Sequence, residues 1–488
     1  MFNPHSIPFQ KAVKLPSSFF RDNRTRVVNA LKASVGETLK RNSYIMVQSQ
    51  EPAWDYDNDC ENDYYAECNF FYLFGNELYA DMYGLVNLDT LEATLSAQDT
   101  STIERVITKL IHRDEMTPDE VNADKIIHTS ELREFFALQK DIGTIYLLGR
   151  ANATNDYFLK NAIKFDWLNA PSYDVDKLAL LPVIEGCRVI KSEAELNFMR
   201  HITKIAAEGH KFTMKHTRPG MHEYQIGELF KFYISWNGCK RLAYQNICGA
   251  GLKAAILHYH ENDEILEDGQ LVMNDMGARS SMYRSDISTT WPVNGKFTEK
   301  QKEIYNIVLA ANQMMIAQLK PNETYVSLDK PSRLFMAQEL LKLGLIKKPP
   351  TLEGEELELA LKRATGIFYP HAWGHYIGLY THDVGAWKER GTEKLEFRGG
   401  SMGNGDPFQP GMCVTIEPGI YFIRPLIEKA KTVPELDCMM CYEKWEEYFH
   451  VGGVRIEDDM IITESGSETM SAGIPRTVEE IEEFMRSD

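Results

Sequence analysis

The sequence lacks the apolar run of about 20 residues that a membrane-spanning helix requires. It also lacks an N-terminal basic stretch followed by an apolar segment, so no secretory signal is expected. Positive charge is in short supply, because 53 Lys and Arg stand against 71 Asp and Glu and give a formal net charge of −18. Nucleic acids and anionic membranes would repel such a chain, so neither is an expected partner.

Cysteine is scarce as well, with 8 in the whole chain. So few cysteines in so long a chain do not form a disulfide framework, and the cytoplasm is the expected compartment. Cys438 and Cys441 form a lone CxxC pair, which could indicate zinc or redox chemistry. No second Cys/His pair lies near them in the sequence, so we interpret them as reduced, partly buried thiols and leave their role open.

The chain has the composition of a globular protein, with 43% hydrophobic and 25% charged residues. Its 488 residues are too many for one ordinary core, and we predict two domains, residues 1–180 and 181–488. The first is a mixed α/β domain without any group of residues that suggests chemistry. Its predicted elements are a helix at 24–40, a strand at 69–74, a hairpin over 78–95 and a strand at 144–148.

The second domain starts with a clear helix signal. Ser192, followed three residues later by Glu195, forms a capping-box pattern, and apolar residues then recur at helical spacing. A second helix is predicted at 224–236. From about residue 265 the pattern becomes strand-rich, and the residues with chemical potential lie on those strands and their connections.

Two aspartates occupy neighbouring predicted strands, residues 270–277 and 282–291. A turn centred between residues 280 and 281 puts Asp275 and Asp286 at equal distances from it, so they are expected to face each other with Cβ atoms about 5 Å apart. Two carboxylates so placed repel each other unless one is protonated or a cation lies between them. Exposed strand aspartates near turns are the alternative.

Later segments favour a site. His371, His375 and His382 lie within a short glycine-containing stretch, and glycine lets a backbone approach closely. Glu417 and Glu457 each interrupt an otherwise apolar strand, and a buried acid is costly to fold without a partner.

Four carboxylates and one imidazole carry four negative charges, which two divalent cations would neutralise. The five residues are Asp275, Asp286, His375, Glu417 and Glu457. Oxygen-rich ligands suit Mn²⁺ or Co²⁺, and Zn²⁺ is a further option. Water between two such cations has a lowered pKa and becomes a nucleophile at neutral pH, which is the chemistry of metal-assisted amide hydrolysis.

Together these motifs resemble the pita-bread metallopeptidases, a family that includes methionine aminopeptidase, prolidase (Xaa-Pro dipeptidase) and aminopeptidase P. The resemblance is detailed from about residue 188 onward and looser before it. It implies an α/β (α+β) protein, with an N-terminal mixed α/β substrate-shaping domain and a C-terminal pita-bread catalytic domain. Relatives are often dimers, which leaves a homodimer as an open expectation.

The resemblance also implies roles for the five ligand candidates. Asp275 would bind one metal, Asp286 and Glu457 would bridge both, and His375 and Glu417 would complete the second. Glu417 would also carry the proton of the attacking water.

Four further residues receive roles from the resemblance alone. His258 would contact the scissile region and help the proline nitrogen leave, and His382 would steady the substrate carbonyl. His371 and Arg455 would line the proline pocket or support the ligands from behind.

The motifs favour the proline-specific branch, whose substrates are peptides with proline in second position. Residues 247–249 and 475–481 are similar to prolidase, whereas the run 285–295 and the short interval from His258 to Asp275 are similar to aminopeptidase P.

The sequence departs from the prolidase pattern at a position that affects substrate length. In prolidases an arginine shortly before the Gln-Pro-Gly-Met segment binds the free carboxylate of a dipeptide, but here none is in register and Arg398 lies too early. Losing that bond costs about 1.5–3 kcal/mol, and the glycine-rich loop before Gln409 leaves room for a longer peptide. We therefore expect aminopeptidase P-like activity, with prolidase as the alternative.

Trp373, inside the His-x-x-Gly-His segment, is a second departure and could narrow the pocket. An inactive pita-bread interaction scaffold and a metal-free creatinase-type hydrolase are further alternatives. The complete ligand set argues against both.

Overall fold

The computed structural model describes residues 13, 15, 16, 18–50, 66–77, 80–98, 115–149, 165–385 and 406–487. Its contacts divide the chain into two compact units, one formed by Leu15–Arg188 and the other containing Val189–Asp488. None of the helices in these ranges is both long and apolar enough to cross a bilayer.

The first unit contains a six-stranded mixed sheet in the order β4-β3-β2-β1-β5-β6. Its strands are β1 (Tyr44–Gln48), β2 (Tyr83–Asn87), β3 (Ala93–Ala97), β4 (Lys125–His128), β5 (Thr144–Leu147) and β6 (Asp174–Asp176). Strands β1, β2 and β3 form an antiparallel meander, whereas β4, β5 and β6 pair in parallel with their neighbours. The helices of this unit are Phe19–Val35, Cys68–Phe74, Leu132–Ala137 and Leu180–Val189, the last of which ends at the boundary.

The strand predicted at 69–74 is wrong, because these residues form the helix Cys68–Phe74. The Glu67 carboxylate accepts a hydrogen bond from the Phe70 amide and starts the helix, while Gly75, with a φ of 73°, ends it. All seven helical residues are buried. A short, continuously apolar run carries no periodicity that separates a buried helix from a buried strand.

The other predicted elements of this unit are present with shifted ends. The first helix is Phe19–Val35 rather than 24–40, because Gly36 adopts a φ of 60° and a 3₁₀ turn follows. Strands β2 and β3 form the predicted hairpin, of which residues 78 and 79 lie outside the described residues.

In its described residues, the second unit combines long helices with four small sheets, ordered β11-β10-β7, β12-β9-β8, β13-β16-β17 and β14-β15. The strands are β7 (Arg241–Leu242), β8 (Ile247–Ala250), β9 (Leu271–Asp275), β10 (Ala278–Ser280), β11 (Tyr283–Arg284), β12 (Ser288–Pro292), β13 (Cys413–Ile416), β14 (Gly419–Tyr421), β15 (Gly453–Arg455), β16 (Asp458–Ile462) and β17 (Ser467–Thr469). The helices are Glu193–His216, Glu223–Trp236, Glu299–Gln318, Tyr325–Lys342, Gly354–Phe368, Arg424–Ala430, Pro434–Asp437, Tyr442–Tyr448 and Val478–Arg486.

The capping box predicted at Ser192 is confirmed. The Glu195 carboxylate accepts from the Ser192 amide at 2.7 Å, and the helix Glu193–His216 begins there.

The predicted register between the two aspartate strands is wrong by two residues. Asp275 lies opposite Ser288 in the β9–β12 ladder, so Asp286 is its diagonal neighbour. The turn between β10 and β11 is centred on Ser281 and Met282, whose φ values are 42° and 66°. Two consecutive positive φ angles give the tight hairpin turn that usually selects Asn or Gly, so nothing in this sequence marked its position.

Candidate metal centre

Three residues from distant parts of the second unit converge on one buried point. Asp286, His375 and Glu457 are 4%, 4% and 2% exposed, and each offers a ligand atom within 4.8 Å of the others. Asp286 lies between β11 and β12, and Glu457 lies between β15 and β16. The three side chains lie on different connecting segments, and the pairing of the neighbouring strands brings them together.

The two remaining ligand candidates border this cluster. His375 Nε2 lies 3.6 Å from a Glu417 carboxylate oxygen and 3.3 Å from Asp286 Oδ2. The Tyr244 phenol is in hydrogen-bonding contact with both Asp275 and Asp286, and its distance to Asp275 Oδ1 is 2.5 Å. The structure therefore brings all five sequence-derived ligand candidates to one site.

The pKa values of the carboxyl groups show that ionising all of them in this buried cluster is unfavourable. Burial, followed by repulsion from neighbouring acids, raises the pKa of Asp286, Glu417 and Glu457 well above the usual range. Without cations, burial and mutual repulsion favour the protonated forms of these groups, whereas two divalent cations would neutralise the carboxylates in place. The donor set therefore fits divalent metal ions.

His375 is held in the form that a metal requires. Its Nδ1 lies 3.0 Å from the Tyr376 carbonyl oxygen, which can only accept, so Nδ1 carries the proton. The lone pair of Nε2 consequently points at the carboxylates. Burial lowers the pKa of His375 and keeps the ring neutral.

Arg455 links the Asp275 and Glu457 carboxylates through hydrogen bonds. It donates through one terminal nitrogen to Asp275 Oδ2 at 2.7 Å and through Nε to Ser288 Oγ at 2.9 Å. Ser288 in turn donates to Glu457 Oε2 at 2.8 Å. The guanidinium fixes Asp275 and Glu457 in one arrangement.

His371 is fully engaged by protein groups. Its Nδ1 donates to the Ala372 carbonyl at 2.8 Å, so Nε2 accepts from the Tyr421 hydroxyl, also at 2.8 Å. Tyr421 accepts from Arg455 at 2.9 Å. Burial and the nearby Arg455 lower the pKa of His371 to about 3, so the ring stays neutral.

His382 and His258 lie on the open side of the cluster. The His382 ring packs edge-on against His375, with 4.2 Å between their centroids. His375, then burial and His258 lower the pKa of His382 to about 3, which also shows that His258 lies nearby. Both His258 and His382 are solvent-exposed, and we call the side on which they lie the open side of the cluster.

The sequence did not single out four residues that support the ligands, namely Tyr244, Ser288, Tyr421 and Asp459. Asp459 accepts from the Asp286 amide at 3.0 Å and from Thr203 at 3.1 Å. Ser288 and Tyr421 could have been suspected, since they lie two and four residues from ligand candidates in the same strand segments. Tyr244 carries no comparable signal.

Trp373 does not extend into open space beside the ligands but is anchored away from them. It is 3% exposed, and its indole nitrogen donates to Asp329 Oδ1 at 2.9 Å. Arg333 donates to the same oxygen at 2.7 Å and to the carbonyls of Tyr369 and His371. This group of residues fixes the backbone between His371 and His375.

Comparison with known proteins agrees with this geometry. Residues 197–464 match the model of metallopeptidase family M24. Mouse Xaa-Pro dipeptidase is 31% identical over 97% of this chain and 94% of its own length. A probable Xaa-Pro aminopeptidase of Talaromyces marneffei is 28% identical over 92% of this chain and 94% of its own.

A solved structure extends the match to the fold. The low-pH form of Escherichia coli aminopeptidase P superimposes with a TM-score of 0.76 at 26% identity, covering 97% of this chain and 99% of that one. The fold is therefore the pita-bread fold preceded by an N-terminal mixed α/β domain. A metallopeptidase family implies divalent metal ions, which the buried carboxylate cluster fits. The chain belongs to metallopeptidase family M24.

Proposed function

We propose that this protein is a dinuclear-metal exopeptidase that hydrolyses the Xaa-Pro bond at the N-terminus of peptides, with an aminopeptidase P-like preference for peptides longer than two residues. The observation that carries the proposal is the convergence of Asp286, His375 and Glu457 within 4.8 Å of one another. Relatives named Xaa-Pro dipeptidase and Xaa-Pro aminopeptidase, each aligned over more than nine-tenths of the chain, support the proline specificity.

The ligand roles would follow the resemblance: Asp275 would hold one metal, Asp286 and Glu457 would be shared, and His375 and Glu417 would complete the second. When bound, two divalent cations neutralise the carboxylates and lower the pKa of water enough to supply a nucleophile at neutral pH. We propose Mn²⁺ as the working ion, with Co²⁺ or Zn²⁺ as alternatives, because oxygen ligands dominate the set.

The protein groups then divide the proton and charge movements. Glu417, whose pKa is raised by burial and by Glu457, is suited to take the proton of the nucleophile and return it to the leaving nitrogen. His382 and His258, on the open side, are placed to donate hydrogen bonds to the substrate carbonyl and the scissile region. His371 cannot donate to substrate, because Ala372 and Tyr421 occupy both of its ring nitrogens, so it shapes the pocket wall.

Prolidase activity is the second candidate, because relatives named Xaa-Pro dipeptidase align at 31% identity. The predicted loop that distinguishes the two activities, with Arg398 and residues 399–405, lies outside the described residues.

A cytoplasmic location and a homodimer complete the proposal. The cysteines of the described part, including Cys438 and Cys441, are free thiols, which supports a reducing compartment. Size-exclusion chromatography with light scattering would measure the oligomeric state.

The test is hydrolysis of Ala-Pro and of Ala-Pro-Ala by the Mn²⁺-loaded protein, with a chelated control. Faster cleavage of the tripeptide, lost on chelation, is the expected result. Preference for the dipeptide would replace the aminopeptidase reading with prolidase, and cleavage of neither peptide would contradict the enzymatic proposal.

A further inference from the structure

Arg284, two residues before Asp286, has no acidic partner among the described residues, unlike four other basic side chains of the second unit. Lys191, Arg333, Arg455 and Arg476 each form an ion pair with a carboxylate, at distances between 2.5 and 3.3 Å. Among the described residues, no carboxylate lies within ion-pair distance of Arg284.

Arg284 lies beside the open side of the cluster. It is the last residue of β11, two residues before Asp286, and its amide donates to the Gly378 carbonyl at 3.0 Å. One terminal nitrogen lies 3.5 Å from the hydroxyl of Thr381, the residue that precedes His382. The guanidinium is thus held against the loop that carries His382, whose ring contacts His375.

The surroundings of the guanidinium satisfy it incompletely. Its Nε is buried and has no hydrogen-bond partner in the described part of the chain. The contact to Thr381 is at the long end of hydrogen bonding, and the Tyr380 ring centroid lies 5.7 Å from the guanidinium carbon. A buried, charged donor without an acceptor is costly, and an oxygen of a bound ligand would satisfy it.

We propose that Arg284 binds a carboxylate of the peptide substrate and thereby selects which peptides are cleaved. This inference rests on the proposed function. A planar carboxylate can accept two parallel hydrogen bonds from a guanidinium, which meets both its charge and its geometry. The carboxylate is either the free C-terminus of an Xaa-Pro dipeptide or an acidic side chain just after the proline of a longer peptide.

The inference changes the argument about substrate length. Close before Gln409, where prolidases carry the arginine that binds a dipeptide carboxylate, this chain has no arginine in register. Arg284 is more than a hundred residues earlier in the sequence, yet it lies beside Thr381 and so next to His382 in space. A cation supplied from β11 would do the work of the missing arginine.

Two matched substrate pairs test the proposal in Mn²⁺-loaded wild type, Arg284→Gln and Arg284→Lys. The first pair is Ala-Pro and Ala-Pro-amide, and the second is Ala-Pro-Glu-amide and Ala-Pro-Gln-amide. Each pair differs in one carboxylate, so the ratio of kcat/KM within a pair is independent of how much enzyme is folded. Arg241→Gln, which removes a cation from β7 of the same sheet, is the control.

We expect Arg284→Gln to lower the acid-to-amide ratio in one pair by about 10- to 100-fold, mainly through KM, with Arg284→Lys intermediate and the control unchanged. A fall in the first pair identifies the C-terminal carboxylate, and a fall in the second identifies an acidic side chain. Unchanged ratios in both pairs would overturn the inference. Cleavage of no peptide by wild type would instead overturn the proposed function.

Discussion

The second unit contains two clusters of charged side chains that differ in how their negative charge is balanced. Around Asp329, the acid is matched by Arg333 at 2.7 Å and by Lys362, and Trp373 adds a neutral donor. Around Asp286, His375 and Glu457, acids outnumber the protein's own cations. Protein cations balance the negative charge of the first cluster, which we call the paired cluster. The negative charge of the second, which we call the unpaired cluster, is balanced only when cations bind.

The pKa shifts express this difference. Burial raises the pKa of Asp329, but Arg333 and Lys362 outweigh it and hold the value below the usual range. Burial and neighbouring acids act together on Asp286 and Glu457 and raise theirs. Removing one member of the paired cluster would leave a buried charge uncompensated, whereas the acids of the unpaired cluster favour cation binding and oppose folding of the metal-free chain.

The largest expected effect separates activity from stability. Asp286→Ala or Glu457→Ala should reduce kcat/KM by at least about 10³-fold, because each would remove a ligand that we propose is shared by the two metals. The metal-free protein should lose little stability, since a repulsive acid has been removed. Steady-state kinetics with Mn²⁺ and thermal unfolding in chelator measure the two effects. Near-normal turnover in either variant would contradict the two-metal assignment.

The paired cluster should show the reverse. Asp329→Ala leaves the 3% exposed Arg333 side chain without its carboxylate and should lower the free energy of unfolding by about 3 kcal/mol. Urea unfolding measures it. Glu358→Ala, which removes the exposed partner of Lys330, is the matched control and should cost less than about 1 kcal/mol. Equal losses in the two variants would refute the distinction.

A rise in pH should change the free energy of unfolding in opposite directions through the two clusters. The raised pKa of Glu457 means that, without metal, its contribution is present below the unfolded-state pKa and is lost as pH rises through the folded-state value. Each such carboxyl lowers the free energy of unfolding by about 1.4 kcal/mol per pH unit within that window.

Urea unfolding of chelated protein between pH 5.5 and 8 should therefore show a shallower slope in Glu457→Gln than in wild type. The lowered pKa of Asp329 contributes stability above its unfolded-state value, which is lost only as pH falls further. Identical slopes in the two proteins would show that Glu457 holds no proton in the metal-free state.

The sequence singled out the ligand candidates because acids within apolar runs and histidines among glycines are local patterns. The expected position inside a strand is wrong for Glu417 and Glu457, which lie on the connections β13–β14 and β15–β16. The sequence analysis missed Tyr244 and Asp459, since their partners Asp275 and Asp286 lie 31 and 173 residues away and leave no local trace. It also missed Asp329, whose pairing with Arg333 is an ordinary i,i+4 helix pattern that does not reveal the contact with Trp373. It also misplaced the β10–β11 turn, where Ser281 and Met282 adopt positive φ without a glycine. Helix Cys68–Phe74 was lost to the ambiguity of a short apolar run.

The smallest expected effect concerns Trp373, which lies in the ligand-bearing segment but is bonded to the paired cluster. Trp373→Phe keeps an aromatic ring against Tyr369, 4.5 Å away, and removes only the N–H donated to Asp329. Since Asp329 retains Arg333 and Lys362, we expect a loss of about 1 kcal/mol in unfolding free energy.

Mn²⁺ affinity, measured by calorimetry, should change less than about threefold in this variant, because the Trp373 carbonyl still accepts from the Glu417 amide at 2.8 Å. Trp445→Phe removes the same ring N–H from a tryptophan outside both clusters and serves as the control. A larger loss of metal affinity than of stability would assign the indole to the metal centre. The expected result assigns Trp373 to the paired cluster. That cluster would then fix the backbone between His371 and His375 before metal ions bind to the unpaired acids.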